Sequence, residues 1–424
     1  MKQVRECGFG LMAMFLLAGG LGAKTLPNVI IISVDAMRPD HISAFGYPRP
    51  ITPNIDRVAK SGVIFLDATT TIPLTNPAQA TLFTSRSISQ TGVNRNGITL
   101  LPGNRTLAEI LKEKGYHTSA VVSCWAAYHG RSGLQRGFEH YQDSGTGLML
   151  ELDAGVVTQR ALKLLGSGIE EPFFLFVDYS EPHQPHDLYP AMGNQEPGLV
   201  DDDRPAVQKN YDSEIAYADY WIGVLLSELE ARGWLQNSLV IIMSDHGEGL
   251  GEKNYVGHGR KLYEHILRIS LTISGPELPK GTAVQAPVNM LDVAPTILSY
   301  LGVKPPAEME GRNLLPHIKT GSALEPEPMY YETNSTAVLD LPGLKKIGRT
   351  TPPTAIGLRV GDLKIVYDLK ENTWEIYDLA EDPGENHNLF NPEDPDHRKL
   401  AEELLENFRA KSAAGKSLKL KFRP

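Results

Sequence analysis

The chain is poor in cysteine: Cys7 and Cys124 are the two among 424 residues. Cys7 precedes an apolar N-terminal run, so Cys124 stands alone in the body of the chain. That excludes an intrachain disulfide there and a cysteine-rich metal site. Cys124 reads as a small buried residue rather than a nucleophile. A basic excess is missing too. Lys and Arg total 41 against 51 Asp and Glu, a formal net charge of −10, which argues against a general nucleic-acid binder. It leaves a phosphate-like substrate open, because a bound metal outweighs the global field locally. Beyond the N-terminus there is no apolar run of membrane length. Fixed-period repeats and low-complexity tracts are also absent, and the mean hydropathy of −0.23 is ordinary for a soluble globular protein.

What is present begins with an export signal. Lys2 and Arg5 precede the apolar run Leu11 to Leu21, and small residues follow through Gly22-Ala23. This pattern predicts a secretory segment over residues 1–23, cleaved or kept as an N-terminal anchor, and a periplasmic or secreted protein. The next segment, Asn28 to Asp35, is a nearly continuous β-branched run of the kind found in a parallel strand buried on both faces. Similar runs recur at Thr118–Ser123, Phe173–Asp178, Leu239–Asp245 and Ile269–Ser274. Helical patterns lie between them at Asn54–Ser61, Leu107–Lys114, Val156–Leu165 and Tyr211–Arg232. The alternation predicts an α/β fold, a mainly parallel sheet with helices on both faces, over residues 24–325. After Pro326 the texture changes. Ala355–Val360, Leu363–Asp368 and Trp374–Leu379 read as short antiparallel strands, and Arg398–Lys411 as a terminal helix. Residues 326–424 are therefore expected to form a small α+β subdomain.

The chemistry concentrates at strand ends. Ligands of open α/β sheets bind outside the carboxyl ends of the strands. Asp35 ends the first run and Asp245-His246 end another. Thr75 precedes Pro77, which suits a first helical turn, so its hydroxyl is expected at a helix N-terminus, where an anion is favoured. Asp35, Thr75, Asp245 and His246 form a candidate cage for a divalent metal. The mixed N and O donors favour Zn or Mn, with Ca or Mg as alternatives and one or two ions. A divalent ion on the threonine oxygen would lower its pKa and stabilise charge on a transferring group. His258, in a glycine-rich loop, is a candidate proton donor or ligand. Arg260 and Lys261 beside it are candidate substrate contacts. Arg38 either clamps an oxyanion or orients Asp35. His183 follows the strand Phe173–Asp178 and is a candidate acid, base or ligand.

Several segments together resemble the sulfatase-like branch of the alkaline phosphatase superfamily. They are the opening strand with Gly46-Tyr47-Pro48-Arg49-Pro50, Gly133 to Tyr141, Val288 to Leu298, and Trp374 to Leu389. Aligned on Pro77, the family's nucleophile position is Thr75, its Ser is Ala78, its Arg is Gln79, and its helix-ending Gly is Ser85. Sulfatases carry a Cys or Ser there that becomes formylglycine, and threonine is not known to undergo that conversion. The resemblance also implies a second Asp where Ala36 stands, and a catalytic Lys where Gly259 stands. It implies that the His of the Pro-His-x-Pro segment, His183, contacts substrate, and that Gln79 contacts substrate differently from Arg. The threonine directs the expectation to a phosphoester hydrolase that passes through a phospho-Thr75 intermediate. Sulfate-ester hydrolysis is the alternative, followed by phosphoethanolamine or phosphoglycerol transfer, and by a non-catalytic binding protein. The expected partner is a small-molecule, glycan or lipid ester.

Overall fold

The computed structural model describes residues 26–144, 151–189, 203–334, 352–412 and 420–422. The expected export segment 1–23 lies outside them, as does most of the rim loops 189–204 and 337–354.

The large sheet contains β1 (Asn28–Val34), β2 (Val63–Phe65), β3 (His117–Val122), β4 (His140–Gln142), β5 (Phe173–Tyr179), β6 (Ser238–Ser244), β7 (Leu271–Ser274) and β8 (Thr282–Val284). Their spatial order is β8-β2-β7-β6-β1-β5-β3-β4. The block β6-β1-β5-β3-β4 is parallel throughout, and β7 runs antiparallel to both β6 and β2. The β-branched runs are thus explained: β1, β5 and β6 are buried at every position. Neighbouring side chains point to opposite faces of a strand, and each face has its own helical layer. Val29 and Ile31 pack with α2 (Thr75–Thr84), α3 (Leu107–Glu113) and α6 (Val293–Tyr300). Ile30 and Ile32 pack with α1 (Pro53–Lys60), α4 (Ala154–Gly166) and α5 (Ala206–Ala231).

The C-terminal part is an antiparallel sheet of β9 (Met329–Thr333), β10 (Ala355–Val360), β11 (Leu363–Asp368) and β12 (Thr373–Asp378), covered by α7 (Pro395–Lys411). One face packs on Leu400, Leu404 and Phe408 of α7. The other packs on Leu262 and Leu267 of the main body. Charge completes that junction. Buried Lys364 donates to Glu264 at 2.8 Å and Glu385 at 2.7 Å, and Arg359 bonds Asp67 through two nitrogens. The sheet thereby braces the segment that carries His258.

Gly137 shows why its short motif contains glycine. Its φ is +90°, and a Cβ there would stand 2.2 Å from the Glu109 backbone nitrogen at the start of α3. Gly137→Ala is expected to destabilise the fold by about 3 kcal/mol, combining a left-handed backbone cost with a clash against rigid backbone. A denaturation midpoint within error of wild type would show that α3 moves aside freely.

Candidate active site

The site is assembled from three strand ends and one helix start. β1 delivers Asp35 and β6 delivers Asp245 and His246 to the same rim, because the two strands are adjacent and in register from Asn28 opposite Ser238 to Val34 opposite Ser244. Thr75 is the first residue of α2, with Pro77 in its first turn. The turn that places it is closed by the Ala78 N–H donating to Leu74 O. The far end of α2 holds Ser85 at φ +51°, where the family motif has glycine. Its hydroxyl donates to Leu291 O and accepts from the Gly311 N–H, which secures the left-handed turn.

Thr75 Oγ1 donates to Asp35 Oδ2 at 3.3 Å. His246 Nε2 is 3.4 Å from Asp35 Oδ1 and 3.6 Å from Asp245 Oδ2. One ligand atom from each of Asp35, Asp245 and His246 lies within 4.8 Å of the others. All three residues are buried, and Asp35 Oδ1, Asp245 Oδ2 and His246 Nε2 have no hydrogen-bond partner. His246 Nδ1 meets the Gly247 carbonyl at 2.9 Å. A carbonyl only accepts, so Nδ1 carries the proton and Nε2 presents a lone pair. A bare nitrogen facing two carboxylate oxygens, with the other nitrogen fixed on a backbone carbonyl, is the usual arrangement of a metal-ligating histidine. The donor set fits a divalent cation, and the ligands would be Asp35, Asp245 and His246, with the Thr75 hydroxyl alongside. Among the described residues no second group of this kind occurs.

Ala36, where the family has a second Asp, has φ +60°. The strained turn aims its N–H at Asp245 Oδ1, 3.1 Å away. Tyr211 of α5 holds the same turn: its hydroxyl donates to Ala36 O and accepts from the Arg38 N–H.

His258 and His183 complete the rim. His258 lies against His246 with ring centroids 4.3 Å apart and the rings tilted by 35°, and meets His183 edge-on at 5.0 Å. Its Nδ1 lies 3.2 Å from both oxygens of Glu248. Burial opposes its charge, but the Glu248 carboxylate prevails and raises its pKa above the ordinary histidine value. His183 is driven the other way, down to about 3, by burial and then by His258. Its Nδ1 bonds the Gln184 carbonyl at 2.7 Å. The rim therefore holds one histidine disposed to keep a proton and one disposed to stay neutral, the pattern expected of an acid and an acceptor.

The other expected contacts resolve differently. Arg38 is not free to clamp an oxyanion. Its side-chain nitrogens bond both oxygens of Asp40, Glu252 Oε1 and Glu248 O, so it braces the loop of Glu248. Lys261 reaches away from the cluster to Asp368 of β11, at 2.7 Å. Arg260 is exposed and lies over the Tyr255 ring. The expectation of substrate contacts from Arg38 and Lys261 is corrected accordingly: carboxylates already hold both cations, Asp40 and Glu252 on Arg38 and Asp368 on Lys261. Gln79, one turn after Thr75, donates to Asp178 at 2.9 Å. Sequence reasoning missed Glu248 as the partner of His258, and Glu151, whose carboxylate lies 3.5 Å from His183. Glu248 was visible in Asp-His-Gly-Glu; Glu151 carried no signal.

Residues 27–303 match the family described as Sulfatase, and residues 251–414 match the C-terminal family of N-sulphoglucosamine sulphohydrolase. A sulfatase of Formosa agariphila is 25% identical, covering 85% of this chain and 82% of its own. A delta 4,5-hexuronate-2-O-sulfatase of Bacteroides thetaiotaomicron is 26% identical over 95% and 92%. A structure solved with its substrate D-glucosamine-2-N,6-O-disulfate superposes with a TM-score of 0.73 at 20% identity, covering 90% of this chain and 97% of that one. The phosphonate monoester hydrolase of Agrobacterium radiobacter does so with 0.70 at 20%, covering 90% and 95%. Because the first family match alone spans more than half of the chain, the protein belongs to the sulfatase family.

Proposed function

We propose that the protein is a metal-dependent hydrolase of sulfate esters, exported by its N-terminal segment, acting on a small or glycan alcohol through Thr75. The carrying observation is the convergence of three unpartnered ligand atoms of Asp35, Asp245 and His246 on the hydroxyl that opens α2. A buried carboxylate cluster repels an anionic ester, so it needs a cation to accept one. When bound, a divalent ion, Zn or Mn by the donor set, supplies charge compensation and polarises the ester.

The residues then divide the work. Thr75 Oγ1, freed of its proton toward Asp35 Oδ2, attacks sulfur as the S–O bond to the alcohol breaks. The N-terminal N–H groups of α2 stabilise charge on the transferring oxygens. His258, protonated and held by Glu248, gives its proton to the departing alcohol oxygen. His183 accepts a substrate hydroxyl through its bare Nε2. Threonine has no second hydroxyl to expel the sulfuryl group, so release requires water to attack sulfur as the S–O bond to Thr75 breaks; His258 takes the proton of the water, and the proton left at Asp35 Oδ2 returns to Thr75 Oγ1.

The relatives' activities favour sulfate esters over the phosphoester first expected from the sequence. One observation keeps a phosphoester as the second reading. Thr75 and Gln79 depart from the sulfatase pattern at the nucleophile and its helical neighbour, and in-line phosphoryl transfer to a threonine needs the same geometry. Paired assays of p-nitrophenyl sulfate, p-nitrophenyl phosphate and bis-p-nitrophenyl phosphate decide between them. Sulfate turnover is expected to dominate by about tenfold or more. Dominant phosphoester turnover would overturn the sulfate reading.

A further inference from the structure

We infer that Glu151 is a specificity-determining residue that selects a primary ammonium group on the alcohol side of the substrate. The inference rests on the reading of the site as one for sulfate esters, and it names the class of alcohol: an amino sugar with a free amine.

Glu151 stands just before α4, and its neighbours are pinned there. The Ser123 hydroxyl, following β3, donates to the Leu152 carbonyl at 2.6 Å and accepts from the Leu152 N–H at 2.9 Å. Asp153 caps α4 by accepting from the Gly155 N–H. Glu181 Oε1 accepts from the Ala154 N–H at 2.8 Å. β3 and β5 are parallel to β1 and end at the same rim, so the segment delivers Glu151 beside the catalytic histidines. Its carboxylate lies 3.5 Å from His183 Nδ1, and 27% of the side chain is exposed. Nδ1 already gives its proton to the Gln184 carbonyl, so His183 does not neutralise the carboxylate. Among the described residues the Glu151 carboxylate accepts no hydrogen bond. The charged groups that act on it are His258 and Glu214, with no lysine or arginine among them. Burial and Glu214 disfavour its charge, a penalty that a bound ammonium offsets.

His183 meets a substrate hydroxyl through Nε2, which leaves Glu151 on the other edge of the same ring, beside the next substituent of the alcohol. A carboxylate at the mouth of a site for an anionic ester repels the substrate unless the alcohol brings a positive charge. A primary ammonium supplies three donors to a carboxylate whose oxygens are free. A quaternary ammonium supplies none and is held by aromatic faces, whereas the neighbour of Glu151 is the polar Nδ1 edge of His183. The same carboxylate works against N-sulfated and uronate alcohols.

The test is competition against hydrolysis of p-nitrophenyl sulfate by the metal-loaded enzyme. Glucosamine, N-acetylglucosamine and N-sulfoglucosamine, each as the 3-O- and the 6-O-sulfate, present a cation, a neutral group and an anion on one scaffold. In at least one regioisomer the free amine should bind about tenfold tighter than the N-acetyl compound and about a hundredfold tighter than the N-sulfo compound. Glu151→Gln should bring the first ratio to within about threefold, and Glu151→Lys should make the N-sulfo compound the tightest. Ratios within one protein cancel any general loss of activity or of folded enzyme. Choline sulfate should bind wild type and Glu151→Gln alike; a loss as large as that of the free amine would overturn the primary ammonium. Equal binding of the three sugars to wild type, or a preference that survives in Glu151→Gln, would overturn the inference. If the enzyme hydrolysed p-nitrophenyl phosphate and not the sulfate, the sulfate reading would fail. The same competition, run with the phosphate reporter and the matching sugar phosphates, would still decide the role of Glu151.

Discussion

Replacing Thr75 by alanine is expected to reduce ester turnover by about ten-thousandfold or more, the scale seen when a covalent nucleophile is removed. Binding should change far less, because the ligand atoms of Asp35, Asp245 and His246 remain in place. Thr75→Ser keeps the oxygen. The position is fully buried, so the lost methyl loosens the rotamer and should cost only about tenfold in kcat. The informative readout is the intact mass of enzyme quenched during turnover. Wild type and Thr75→Ser should carry one transferred sulfuryl or phosphoryl group, and Thr75→Ala none. A Thr75→Ala enzyme that turns over within about tenfold of wild type would remove threonine from the mechanism. The neighbouring hydroxyls are poor substitutes. Thr71 and Thr81 face each other at 3.3 Å, and Thr84 is bound to Ala80 O.

The parts of this site legible in the sequence were those encoded locally. A β-branched run buried on both faces announces a central parallel strand, and the acid that ends it must emerge at the rim. That reasoning placed Asp35 and Asp245-His246 together although 209 residues separate Ala36 from the carboxylate it bonds. Thr75 was legible because Pro77 marks a helix start. What failed was the partner of each cation. A loop arginine reads as an anion clamp until Glu252, 214 positions away, is seen to hold it. Lys261 reads the same way until Asp368 is seen. Strand β9 was missed because Glu332 sits within it. That carboxyl is buried, bonded by Tyr330 and pushed up to about 7 by burial, and a buried acid erases the alternation a strand would show. Glu248 was missed as the partner of His258 because their meeting depends on the small hairpin pairing Gly249 with Gly257.

Asp245→Asn is expected to move the metal-free and metal-loaded proteins in opposite directions. Burial, and then the Asp245 charge, raises the Asp35 carboxyl well above its ordinary range. Ionising Asp35 therefore opposes folding. The metal-free protein should lose stability as pH climbs from the unfolded-state carboxylate value toward the raised native one, and should level off above it. Asparagine removes the neighbouring charge, so metal-free Asp245→Asn should melt higher than metal-free wild type at neutral pH. Added Zn or Mn reverses the order. Cation binding requires Asp35 ionised, so the metal-induced rise in wild-type melting temperature should grow with pH, and saturating metal stabilises by about 4 kcal/mol when its concentration is a thousandfold above Kd. Asp245→Asn should lose most of that rise, because an amide oxygen replaces an anionic ligand. Melting curves across pH, with chelator and with added metal, read both effects at once. A variant that keeps the full metal-induced rise would place the cation elsewhere. A metal-free variant that melts below wild type would show that Asp245 holds the fold through its bonds from the Ala36 and His246 N–H groups more strongly than its charge strains it.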